Sequence, residues 1–194
     1  LDKNADILRL PAIALRGLVV FPGNIIHFEV GRKKSIAAIE WAMSNNNAVF
    51  LTAQQDMDVE DPGFKDLYAY GVVAEVKQVL RVSDELVKVL VEGKYRAKLL
   101  TLDSSGRFLL ASTKAAALRG TKSVDSARVE ALVRSVKEAF EEYLSLNPRL
   151  SKDVVYTIIT NEDAALLCDY IPANLLLKYT DKQALLNEGT VSGR

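Results

Sequence analysis

GVVAEVKQVLRVSDELVKVLVEGKYRAKLL, residues 71–100, is the stretch whose reading decides the fold. Two runs of alternating apolar residues flank a short polar turn. In the first, Val72, Ala74 and Val76 share one side, and Glu75 and Lys77 point the other way. In the second, Val87, Val89 and Val91 share a face. Ser83, Asp84 and Glu85 lie between them and suit a tight connection. Period-2 alternation of β-branched residues around such a turn predicts an antiparallel hairpin. Gly93 interrupts the second run, which predicts a bulge or sharp bend there. The hairpin is expected to be the spine of a β-rich lobe spanning residues 1–118.

The bounds set by composition agree with a globular chain. It has 194 residues, 49% of them hydrophobic and 26% charged. The 25 basic and 25 acidic residues cancel, so nothing in the overall charge attracts nucleic acid or an anionic membrane. No apolar run approaches the length of a membrane-spanning helix. The opening LDKNADILRLP has neither the apolar core nor the cleavage site of a signal peptide. A single cysteine, Cys168, cannot form an internal disulfide, and a cytoplasmic location fits that usage.

Taken in order, Ile7 to Leu15 reads as a first strand, with Pro11 confined to an edge or bend. A second apolar run, Leu18 to Phe21, ends a strand at the Pro22-Gly23 turn. From Ile25 to Val30 the pattern alternates, with Ile26, Phe28 and Val30 inward and Ile25, His27 and Glu29 outward. A helix is predicted over 33–44, with Ile36, Ile39 and Met43 on one apolar face. Trp41 lies about 140° from Ile36 on such a helix and misses that face. Asn45 to Asn47 closes the helix, Ala48 to Ala53 forms the next strand, and an acidic loop runs over 55–64. A last strand is expected from Arg107 to about Leu118.

The period changes at LRGTKS, 118–123, and beyond it the spacing is helical. Val129, Leu132, Val133, Val136, Phe140, Tyr143 and Leu144 form one stripe, with Leu132 and Phe140 at its centre, and Asn147-Pro148 stops that helix. Three shorter helices follow. Their start signals are Ser151 before Asp153, Asn161 before Glu162 and Asp163, and Thr180 with Gln183 in capping-box spacing. Strands first and helices after predicts an α+β fold: a β-rich lobe with one helix over 1–118, then an all-helical lobe over 119–194.

The residues offer no catalytic constellation. His27 is the one histidine, expected on the outward face of a strand and without a nucleophile signature beside it. Cys168 sits among Ala165, Leu166, Leu167 and Ile171 and reads as a buried, inert thiol. Zinc spacing is impossible with one Cys and one His, so no metal site is expected. Gly31 to Ser35, GRKKS, lacks the spacing of a phosphate loop. Its basic residues nonetheless precede a helix, where they oppose the helix dipole; solvated surface is the plainer reading. Trp41, if it does not pack on a neighbouring strand, is an exposed aromatic of the kind that anchors partners.

The order LPAIALRGLVVFPGNIIHFEVGRKKSIAAIEWAM, residues 10–43, resembles the start of bacterial Lon proteases. In that family a strand reaches a P-x-R-x-x-V-x-x-P motif and G-R-x-x-S opens the first helix. DLYAYGVVAEV, VKVLVEGKYRAKL and LLLKYTDKQALLN resemble later blocks. The likeness covers almost the whole chain in the right order; Ala14 stands where proline or another residue is usual, and Phe21 precedes the loop proline.

The resemblance implies a PUA-like β lobe followed by a helical lobe, acting in substrate capture and assembly. It implies a cytoplasmic, ATP-dependent, homohexameric serine protease as the parent, with ATP and Mg serving the parent's other domains and no cofactor in this segment. The chain lacks the nucleotide loop and peptidase segment of that family and is expected to be an excised, non-catalytic domain. The implied partners are unfolded or misfolded proteins and other Lon subunits. Two alternatives stand beside this: a stand-alone Lon-like adaptor of the cereblon type, and an RNA-binding PUA-like domain, the latter opposed by the balanced charge. If substrates are caught through apolar segments, the residues expected to border one surface are Phe21, Pro22 and Trp41 in the middle, with Arg32, Lys33 and Lys34 at the rim.

Overall fold

Alternation carried by valines becomes sheet, and the helical stripe becomes helix. In the computed structural model, which describes residues 7–120, 126–147 and 149–194, the strands are β1 (Ile7–Leu15), β2 (Ile25–Val30), β3 (Ala48–Ala53), β4 (Tyr70–Ser83), β5 (Leu86–Asp103) and β6 (Leu109–Ala115). The helices are α1 (Lys33–Met43), α2 (Ser126–Leu146), α3 (Lys152–Thr160), α4 (Ala164–Asn174) and α5 (Tyr179–Asn187). The fold is mixed α and β. The sheet order is β2-β5-β4-β3-β1-β6, and β5 also pairs with β6. Strands β5, β4, β3, β1 and β6 thus close on themselves, and β2 lies outside them along β5.

The β4–β5 hairpin is the spine expected of it. Its turn is Asp84-Glu85, between Ser83 and Leu86. At the glycine, Ala74 faces Gly93 while Val73 faces Tyr95, so Lys94 is the extra residue of a bulge. That bend lets one long strand serve two neighbours, β2 over 87–92 and β6 over 97–103. Lys77 and Lys94 bracket Glu75 and Glu92 on the exposed side of the bulge, at 2.6–2.9 Å.

Two apolar layers result from the alternation. Leu10, Ala12, Phe50, Val73, Leu99 and Ala111 belong to a cluster drawn from every closed strand, the filling of the barrel. The opposite faces, with Ile13, Leu51, Val72, Val76 and Val89, pack beneath α1 and the 19–21 segment. From Leu10 to Leu15 strand β1 is covered on both sides, which explains why that part reads LPAIAL without a polar alternate, while Ile7, Leu8 and Arg9 before it are exposed. It lies inside the sheet rather than at an edge. Pro11 is tolerated because it faces Leu110 on one side, and the parallel ladder to β3 starts one residue later at Ala12.

Helix α1 sits on the sheet through Ser35, Ala38, Ile39 and Ala42. Met43, expected on that face, is exposed. The two alanines let the helix approach closely, and one more large side chain has no space there. Asn47 adopts a left-handed backbone, φ 57°, to turn the chain into β3. Residues 18–21 form no strand, though the Pro22-Gly23 turn is present. Strand β6 stops at Ala115, short of the expected end, and LRGTKS falls partly outside the described residues.

Helices α2, α3 and α4 share a third cluster around Val133, Phe140, Ile158 and Leu167. Helix α2 ends at Leu146; Pro148, expected to stop it, lies outside the described residues. Ser151 caps α3 by accepting from the Val154 N–H, as expected. Asp163, not Asn161, caps α4, taking the Ala165 and Leu166 N–H groups; Asn161 closes α3 and receives the Asp163 N–H at 2.8 Å. Thr180 and Gln183 form no capping box. The cap of α5 is Lys178, and Gln183 is turned into the interior.

Helix α5 packs on the barrel side. Leu186, 2% exposed, belongs to the cluster under α1. Gln183 donates to the Tyr70 carbonyl at 2.9 Å. Arg119 and Thr190 form a parallel bridge. Arg96 of β5 stacks over Tyr70 at 4.7 Å and donates to the Glu188 carbonyl. Arg194 donates to the same carbonyl at 2.9 Å and pairs with Asp169 of α4.

Candidate apolar binding surfaces

The residues expected to border one surface are not brought together. Phe21 is 0% exposed. Its burial follows from Gly93: the missing Cβ lets the 21–24 backbone lie against β5, where Gly23 donates to Gly93 at 2.8 Å and Gly93 to Asn24 at 2.9 Å. Pro22 is half-buried in the same turn. The apolar pair expected at the surface is therefore split between core and turn.

Arg32 is held from several sides. Its guanidinium donates to the Ala14 carbonyl at 3.1 Å, to Val59 at 3.4 Å and to the Gln54 side chain. Burial, and then the charge of Arg16, hold its pKa below the ordinary arginine value. Lys34 pairs with Asp61 at 3.0 Å and reaches the Ser104 carbonyl at 3.4 Å. Both therefore tie α1 to its neighbouring loops. Lys33 alone of the three is exposed. Trp41 is 39% exposed and tilts against the Phe108 ring, centroids 5.7 Å apart. It packs and remains accessible at once.

A wider apolar surface lies among the helices. A groove of about 310 Å³ runs between α2, α4 and the C-terminal residues, lined by Leu132, Val133, Val136, Leu167, Ile171 and Leu177 among others. Leu132 and Val136 are 39% and 42% exposed. The α2 stripe is wider than α3 and α4 can cover, so its Phe140 half is core and its Leu132 half is groove wall. One feature marked this in the sequence: the run Leu175-Leu176-Leu177 cannot bury every side chain. Pro172 lies within α4, and having no N–H it leaves the Cys168 carbonyl without its helical bond.

The polar groups around this groove are quiet. Burial pushes the Cys168 thiol up to about 11, and its Sγ lies 3.7 Å from the Val191 carbonyl. Burial also raises the Asp169 pKa, against the opposing pull of Arg194. His27 is exposed on β2. Among the described residues, no group of three or more His, Cys, Asp or Glu is placed to hold a metal, and no helix is long and apolar enough to cross a membrane.

The buried polar residues Gln54, Arg96 and Gln183 escaped the sequence reading, since nothing local marks a glutamine whose partner lies far along the chain.

The family described as the ATP-dependent protease La (LON) substrate-binding domain matches residues 9–194. The Lon protease of Desulforamulus reducens is 37% identical over 191 residues, 98% of this chain and 23% of that protein. The Lon protease of Escherichia coli K12 is 36% identical over 192 residues, 99% of this chain and 24% of that protein. The chain spans about a quarter of the length of these relatives. Among solved structures, the N-terminal domain of a Lon protease of the Mycobacterium avium complex superposes with a TM-score of 0.76 at 18% identity, covering 96% of this chain and 93% of that one, a likeness of fold. Matched over nearly its whole length, the chain belongs to the Lon substrate-binding domain family.

Proposed function

We propose that this chain captures protein substrates for an ATP-dependent Lon protease by holding exposed apolar segments of misfolded or regulatory proteins. The observation that carries the reading is the groove between α2 and α4, whose Leu132, Val136 and Leu177 stand open to solvent beside a packed core. Folded proteins bury most of their large apolar residues, so such a groove selects chains that have lost their fold. Capture is weak at one copy. Further copies in a homohexamer raise the effective concentration of sites, and a weak contact becomes adequate retention. ATP and Mg act elsewhere in the cytoplasmic parent enzyme, as does the serine peptidase. The chain divides its work at about residue 118, the β-rich part giving a rigid base and the helical part the apolar groove. Trp41 and Lys33 are the accessible remainder of the patch expected from sequence and offer a second contact surface on α1.

The test is a titration of a labelled, permanently unfolded reporter protein by fluorescence anisotropy. Leu132→Ser combined with Val136→Ser is expected to weaken binding about tenfold, each open contact contributing roughly 1 kcal/mol or less. Trp41→Ala is expected to weaken it less. Circular dichroism and urea midpoints confirm that each variant is folded. Undiminished binding by the folded double variant, with loss in Trp41→Ala, places capture on α1 and removes the groove from the reading.

A further inference from the structure

A second groove, of about 340 Å³, lies between the end of β1, strand β2 and the start of α1. Its floor is apolar: Ile13, Leu15, Leu18, Phe28 and Val30. One end is made of hydrogen-bond donors. Helix α1 begins there without a cap: Arg32 at the N-cap makes no side-chain bond to the first turn, and no acidic residue lies in it. Ile36 is the first N–H to bond back, to Arg32 at 2.9 Å. The N–H groups of Lys33, Lys34 and Ser35 therefore have no helical acceptor.

Ser35 supplies an independent sign. It is 5% exposed and lines the groove, and among the described residues its hydroxyl has no hydrogen-bond partner. A hydroxyl unpaired within the described residues, on a nearly closed residue that lines the groove at an uncapped helix start, is placed to donate to an acceptor supplied by a ligand.

Charge agrees. Arg16 and Arg32 both line the groove, and their hydrogen bonds go to neutral acceptors: Arg16 to Val59 at 3.3 Å, Arg32 to Ala14, Val59 and Gln54. Neither is in an ion pair among the described residues. The acid on the groove wall, Glu29, lies 3.6 Å from Lys88. Beside these donors runs β2, which ends the sheet order and pairs with β5 alone. An edge strand offers its free backbone groups to another extended chain.

We propose that this groove holds the free C-terminus of an extended polypeptide, with an apolar last side chain on the Ile13–Phe28 floor and the terminal carboxylate at Ser35, the α1 N-terminus and Arg16. The three features select together. Donors and cations take a carboxylate, the floor takes an apolar side chain, and the β2 edge takes extended backbone. An internal acidic residue offers the carboxylate without ending the chain, and a chain continuing past it meets the start of α1. The proposal rests on the reading of this chain as a polypeptide-capturing domain and not on the α2–α4 groove, so the two sites fail separately.

The probe is a ten-residue unstructured peptide ending in Val-Leu, labelled at its N-terminus, compared as the free acid and as the C-terminal amide. The free acid is expected to bind about tenfold tighter, the scale of a charge-assisted hydrogen-bond set in a partly screened site. Arg16→Gln and Ser35→Ala are expected to abolish that preference, and Leu132→Ser to leave it. In the unaltered, isotope-labelled protein, the amide resonances of Lys33, Lys34 and Ser35 should shift with the free acid and stay with the amide, a readout that needs no variant to fold. Equal affinity for acid and amide overturns the proposal. So does an acid preference that survives Arg16→Gln with those resonances unmoved, which places the carboxylate elsewhere. An amidated peptide with an internal glutamate that binds like the free acid overturns the commitment to a chain terminus.

Discussion

A Cβ added at Gly93 would stand 2.2 Å from the Phe21 carbonyl oxygen, and one at Gly71 equally close to that of Leu51. No rotamer relieves such a clash, because the obstructing atom is backbone. Gly93→Ala is therefore expected to destabilise by about 1–3 kcal/mol or more, the range of overpacking with backbone displacement. Gly106→Ala, whose Cβ would meet nothing nearer than the Phe108 carbonyl at 3.7 Å, should stay within about 0.5 kcal/mol. Urea midpoints for the two variants decide it; equal shifts would mean that the 21–24 segment yields. At this scale the sequence was half legible. The glycine was readable as a bulge because it breaks an alternation. That the bulge exists partly to admit Phe21 was not, since a backbone approach from a distant segment leaves no local mark. The same holds for Arg32: its type is visible, but its ties to Ala14, Val59 and Gln54 are set by the fold.

Elements were more legible than their exposed sides. All five helices and most strands follow from period and punctuation, because burial of a face imposes its repeat on the residues that line it. Which part of a wide stripe is covered depends on how neighbours cross it, and α2 is the instance. Phe140 is 3% exposed and Leu132 is 39% exposed, though both lie on the stripe read as core. Phe140→Ala is expected to cost about 3–5 kcal/mol through lost burial and the cavity left between α2, α3 and α4. Leu132→Ala should cost under about 1 kcal/mol, since its side chain already meets water. A comparison of urea midpoints at constant slope separates these outcomes. Equal losses would close the α2–α4 groove and remove its claim to be a binding surface. Caps were legible where the polar residue acts on its own helix, as at Ser151. They were misread where another side chain two residues away takes the N–H groups, as Asp163 does after Asn161.

For the whole molecule, the change from strands to helices was readable, and the closure of the barrel was not, because the β1–β6 and β1–β3 pairings join segments that no local pattern relates. Nor does local pattern show that α5 reaches the barrel while keeping its contact with α4. Leu186 fills the cluster beneath α1, Gln183 bonds Tyr70, and Arg96 with Arg194 converges on the Glu188 carbonyl while Arg194 grips Asp169 of α4. The helical cluster is thus fastened to the barrel through buried contacts that break together. One cooperative transition is expected. Trp41 is the single tryptophan and reports the barrel side from α1, while ellipticity at 222 nm is dominated by the longer α2 and its neighbours. The two signals should give coincident urea curves, the mark of two-state unfolding. Leu186→Ala should lower both midpoints together, by about 2–5 kcal/mol of stability, because it opens a cavity at the shared seam. An ellipticity transition well below that of Trp41, already present in the unaltered protein, would show that α5 does not couple the two parts. The helices would then unfold as a unit of their own, with the barrel intact beneath them.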